Sequence, residues 1–86
     1  MKALTKLDYN DQYNLVESFI VHNTNEEEVP LNYKMTSQTW AELVSKWAGV
    51  EISPKVVIDV CKEFAIDNRE ICKGVFVFAM TVNKLK

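Results

Sequence analysis

Three observations predict an α+β fold with three helices and a short antiparallel sheet. Residues 36–66, TSQTWAELVSKWAGVEISPKVVIDVCKEFAI, hold two helical apolar patterns separated by a glycine and a Ser-Pro pair. Residues 75–82, VFVFAMTV, are rich in β-branched and aromatic side chains and contain no proline, a composition that favours strand. The chain has 86 residues, the length of one domain, and its 48% hydrophobic content can supply a core.

The first helix is expected over residues 5–23. Tyr9, Tyr13, Val16 and Ile20 recur at three and four, and Leu15 and Phe19 broaden that stripe. Thr5 with Asp8 has the spacing of a capping box, and Asp8 could equally be the cap itself. Polar residues take over at His22 and Asn23. The acidic run at 26–28 reads as a solvated connector, because adjacent like charges repel and stay wet. Residues 29–35 look extended: Pro30 opposes helix, and Leu31, Tyr33 and Met35 alternate with Asn32 and Lys34.

The second helix is capped by Thr36 or Ser37. Trp40, Leu43, Val44 and Trp47 fall at i, i+3, i+4 and i+7 and so share one face. Two tryptophans there could form a ligand-stacking platform, but burial alone explains the spacing, and both are expected as core anchors. Gly49 ends the helix, since it adopts the left-handed cap that other residues resist. Ser53 and Pro54 restart a helix as N-cap and first helical residue.

The third helix runs from Pro54 to Phe64 or Ile66. Only Lys55, Asp59, Lys62 and Glu63 interrupt its apolar surface. Such a helix is buried on more than one face, or it offers apolar surface to a partner. Asp67-Asn68 signals a turn, residues 69–73 a short strand, and Lys73-Gly74 a second turn. Residues 75–82 then form a strand, apolar on both faces and so covered on both or central in the sheet. A terminal helix there is the alternative, and residues 83–86 form a frayed tail.

The net charge is −2, unevenly distributed: −3 over residues 1–35, −1 over 36–66 and +2 over 67–86. Proteins that bind nucleic acid by bulk electrostatics are usually clearly basic. The start of the chain lacks the apolar stretch of a signal peptide. No apolar run reaches the ~18–20 residues that span a membrane. A cytoplasmic protein without membrane association is therefore expected, with Cys61 and Cys72 as reduced, buried structural thiols.

No constellation carries chemistry. The one histidine, His22, sits among polar residues at a helix end, with no nucleophile in a readable relation to it. The cysteine spacing fits no metal or redox motif, and two glycines cannot build a phosphate-cradling loop. Glu42 and Glu63 could meet in space, but their spacing does not require it. The expectation is a non-enzymatic protein without metal or cofactor.

The order helix, strand, helix, turn, helix, hairpin, together with LVSKWAGVEISPKVVIDV, resembles the winged helix-turn-helix superfamily. That resemblance implies a winged-helix-like domain over residues 1–86, with the strand at 29–35 and the hairpin at 69–82 forming one sheet. The departures concern function and turn length. Ser45 stands where the family usually has Ala, and Glu51-Ile52 lengthens the turn by about two residues. The helix placed as the recognition helix has no Arg and no net charge. Its early positions, Lys55, Val56 and Asp59, read bases poorly, since Arg, Lys, Asn and Gln supply the usual bidentate contacts.

Two functions follow as expectations. The first is a protein-protein interaction module, an inhibitor or adaptor, with a phage or mobile-element origin suggested by size alone. The alternative is a helix-turn-helix DNA-binding transcriptional regulator. Either would use Lys55, Asp59 and Lys62 on the third helix and Arg69, Lys73, Lys84 and Lys86 in the basic C-terminal segment. A homodimer through the first helix could set two motifs on adjacent half-sites.

Overall fold

The computed structural model describes residues 5–25 and 29–82. The acidic run at 26–28 and the tail at 83–86 lie outside the described residues. In chain order the elements are β1 (Thr5–Lys6), α1 (Tyr9–Asn23), β2 (Thr24–Asn25), β3 (Asn32–Thr36), α2 (Ser37–Ala48), β4 (Val50–Glu51), α3 (Pro54–Glu63), β5 (Asn68–Cys72), β6 (Val75–Phe78) and β7 (Thr81–Val82). This is an α+β fold with three helices and an antiparallel sheet ordered β3-β6-β5.

The first helix begins four residues later than the periodicity suggested. Asp8 is its N-cap, accepting a hydrogen bond from the Asp11 amide at 2.9 Å. Residues 5 and 6 instead pair in parallel with Val50 and Glu51, so these two residues lie along the turn between α2 and α3. The buried face of α1 is Gln12, Val16, Phe19 and Ile20, which leaves Tyr9 45% exposed. Gln12 is a polar residue on that face, and both ends of its amide are bonded. Its Nε2 donates to the Leu7 carbonyl at 2.7 Å, and its Oε1 accepts from the Ser53 amide at 2.9 Å.

In α2, Thr36 caps the N-terminus and Gly49, at φ 75°, closes the C-terminus. Trp40 is fully buried in a core that includes Val16, Ile20, Val44, Val57 and Phe78. Its Nε1 has no hydrogen-bond partner among the described residues. Trp47 departs from the expected core position: it is 45% exposed and meets Phe19 edge-on, ring centres 5.3 Å apart. It is the last of the four stripe residues, one residue before the helix ends. Ser37, completely buried, receives the Phe76 amide at 3.2 Å and ties α2 to the central strand.

Ser53 caps α3, with Pro54 at its first turn. The helix ends with the Ile66 amide bonded to the Cys61 carbonyl and the Ala65 amide to that of Lys62, both at 3.0 Å. This six-to-one, five-to-two pair is a Schellman closure. Ala65 holds the left-handed position at φ 58°, where glycine is the usual occupant.

The expected strand at 75–82 is strand as far as Phe78, which excludes the helical alternative. As the middle strand of its sheet, β6 has neighbours on both edges. It breaks where the Ala79 amide bonds the Asp67 carbonyl at 2.8 Å. Strand pairing resumes at β7, which has a different partner, β2. The expected period-2 alternation in β3 fails for a local reason. Its register with β6 shifts between Asn32 and Thr36, and Tyr33 is left 57% exposed. A correction also applies to the cysteines: Cys61 is buried but Cys72 is exposed, because every residue of β5 after Asn68 faces solvent.

Candidate interaction surface

α3 packs against both α1 and α2 and buries Val56, Val57, Ile58, Val60 and Cys61. Its apolar breadth therefore serves two helix contacts, and only Lys55, Asp59, Lys62 and Glu63 remain as an outward stripe. That stripe holds two cations and two anions.

Asp59 is already engaged. Its Oδ2 accepts from the Tyr9 hydroxyl at 2.6 Å and from Lys55 Nζ at 3.3 Å. Partial burial pushes the carboxyl up. The Tyr9 hydrogen bond and the nearby Lys55 and Lys62 charges outweigh that and hold it below the usual carboxylate range. The reciprocal effect pushes the Tyr9 hydroxyl up to about 12, chiefly because ionisation would break its bond to Asp59, with burial and the Asp59 charge adding to the shift. Lys62 is also directed inward along the surface, its Nζ 4.9 Å from the centre of the Phe76 ring.

Of the remaining predicted site residues, Arg69 on β5 donates from Nη1 to the Tyr33 hydroxyl on β3 at 3.4 Å. Since β6 lies between those strands, the bond crosses β6 where Val77, opposite Arg69, is completely buried. Lys73 sits exposed in the β5–β6 turn, which Gly74 makes at φ 77° and which Glu70 braces by accepting the Gly74 amide at 2.8 Å. Lys84 and Lys86 lie outside the described residues. Thus Lys55 and Asp59 are brought together, Lys62 and Arg69 each face a different neighbour, and Lys73 stands apart in the β5–β6 turn.

Sequence reasoning missed a cleft of about 400 Å³ between α2 and the α2–α3 turn. Ala41, Ser45 and Ile52 line it together with Gln38, Glu42 and Lys46 from α2, Glu51 from the turn and Pro54 from the start of α3. It exists because Ala41 and Ser45 are small, whereas Gln38, Glu42 and Lys46 form an adjacent i, i+4, i+8 ridge. Ser45 also holds the lengthened turn. Its hydroxyl donates to the Ala41 carbonyl at 2.7 Å and accepts the Ile52 amide at 2.9 Å. The available signal was a serine in the last turn of α2, followed by the five-residue connection 49–53, both visible in sequence.

Glu42 does not find Glu63; it borders the cleft that Glu51 also borders. His22, in the last turn of α1, has Nδ1 2.9 Å from the Ser18 carbonyl and donates to it. Among the described residues no group of three or more His, Cys, Asp or Glu is placed to hold a metal ion. No helix among them is long and apolar enough to cross a membrane. No protein-family model matches the chain, and comparisons with curated proteins and with solved structures give no match.

Proposed function

We propose that this chain is a small non-enzymatic protein-binding module, an inhibitor or adaptor, on a winged-helix-like scaffold. The element order and the β3-β6-β5 sheet support the scaffold. The observation that carries the binding mode is the chemistry around the first turn of α3, the region a DNA-reading helix would place against bases and phosphates. There Glu42 and Glu51 border an apolar-floored cleft, and the only outward acid of the adjacent helical turn, Asp59, is bonded to Tyr9 and Lys55. Phosphates would meet two carboxylates against one ammonium, that of Lys46, at that cleft, whereas a protein segment would meet apolar surface with a polar rim, the usual anatomy of an interface.

DNA binding is the second reading. Its support is Lys55, 76% exposed at the side chain and next to Pro54, and the hairpin residues Arg69 and Lys73. It predicts an affinity that falls steeply with salt. Affinity purification from nuclease-treated lysate, paired with a low-salt gel-shift assay on duplexes of several lengths, distinguishes the two. A stoichiometric protein partner with no shifted DNA supports the first; bait alone with a tight shifted complex supports the second.

A further inference from the structure

We propose that the cleft between α2 and the α2–α3 turn is the partner site, and that it takes an extended segment of the partner protein bearing one aliphatic side chain flanked by Lys or Arg. This inference rests on the protein-binding reading above. The cleft is apolar at its base, where Ala41 and Ile52 are buried, and its reachable apolar surface comes from Pro54 and the aliphatic stems of Gln38, Glu42 and Lys46 around it. The one hydroxyl in the floor, that of Ser45, already donates to Ala41 and accepts from Ile52. A polar group inserted there would have to give up water without a ready partner, whereas an aliphatic side chain leaves nothing unsatisfied. The cleft, of about 400 Å³, is open to solvent along one side, so it suits a side chain laid along the surface by an extended segment rather than a group enclosed on all sides.

The rim supplies orientation. Glu42 on α2 and Glu51 on β4 attract basic side chains beside the anchor. Lys46, one turn beyond Glu42 on the same ridge, disfavours any further basic residue at that end and so limits the segment to the two bases beside its anchor. Solvent-exposed rim charges contribute more to encounter rate and selectivity than to affinity. The aliphatic anchor should therefore carry most of the binding, and the flanking bases should decide which segments bind.

The test titrates the full chain with a capped peptide, Gly-Lys-Leu-Lys-Gly, followed by amide chemical shifts. The expected result is movement at Ala41, Ser45 and Ile52. Replacing the peptide leucine by alanine should weaken binding at least tenfold, as should the Glu42→Lys/Glu51→Lys chain. Glu42→Gln/Glu51→Gln gives the same comparison without charge reversal and should weaken binding severalfold. Equal response to a peptide with Glu in place of Lys, unchanged affinity in both double variants, or shifts confined to the α3 stripe would overturn the proposal. Residues 83–86, Asn-Lys-Leu-Lys, carry the same chemistry. Binding that appears only with Leu85→Ser would make the chain's own end the occupant and overturn an external partner. A protein captured from nuclease-treated lysate equally well by the wild type and the double variants would overturn the cleft but leave the protein-binding reading standing. Capture of no protein together with tight DNA binding would overturn both.

Discussion

Ser45→Ala removes a single oxygen, and its effect can be worked out from two distances. That oxygen accepts the Ile52 amide at 2.9 Å and donates to the Ala41 carbonyl at 2.7 Å. Losing a net hydrogen bond costs ~0.5–1.5 kcal/mol, and leaving a buried donor unpaired costs ~1–3 kcal/mol. The Ile52 amide bond is part-buried and Ser45 lines the open cleft, so water can replace some of the lost acceptor and the unpaired-donor cost falls at the low end of that range. Against this, alanine is the better helix former, by roughly 0.5 kcal/mol. The balance is a loss of about 1–2 kcal/mol. Urea denaturation should show a lower midpoint at unchanged slope, and the thermal midpoint should fall by ~4–16 °C at ~4–8 °C per kcal/mol. Amide exchange should accelerate at Ile52 before it does in α1. A Ser45→Ala chain as stable as the wild type, with Ile52 exchange unchanged, would refute the claim that this serine holds the long turn.

Three further outcomes are expected. Ala65→Gly should stabilise the chain by ~0.5–1 kcal/mol in the same denaturation assay, because Ala65 sits at φ 58° in the Schellman closure of α3. A thiol reagent should modify Cys72 in the native protein and Cys61 only on unfolding, read as one fast equivalent and one slow. The Tyr9–Asp59 bond gives stability a two-sided pH dependence. Asp59 titrates below its unfolded value, so its contribution is present above ~3.9 and is lost as pH falls through the lower folded value. Tyr9 titrates above its unfolded value of 10.0, so its contribution is complete below 10.0 and is lost as pH rises through about 12. Tyr9→Phe should reduce the alkaline loss to the part that Tyr13, whose hydroxyl burial also pushes up, still contributes, and should raise the Asp59 pKa in an NMR titration.

The parts of this fold that repeat over several turns were legible in sequence. Gly49, Ser53 and Pro54 occupy the cap positions their chemistry favours, and Trp40 with Val44 marks the buried face of α2. Short pairings were not legible. β1 and β4 are two residues each, too few to show a period, and their partners are 45 positions apart. The candidate surface divides the same way. Lys55 and Asp59 are four apart on one helix, so their ion pair could be anticipated. Tyr9, which completes that group from 50 positions away, could not, since periodicity assigned it to the core. The cleft was hidden for a different reason: its lining lies in the one stretch from Gln38 to Pro54, but a depression is defined by what small residues leave open between a helix and the turn beside it, and periodicity does not give the path of that turn.

Quantitative capture from nuclease-treated lysate, run beside low-salt DNA binding by the same preparation, tests the central claim most directly. The account predicts a near-equimolar protein partner and no DNA complex that survives physiological salt. Tight, salt-dependent binding to duplex DNA with no protein partner would contradict it.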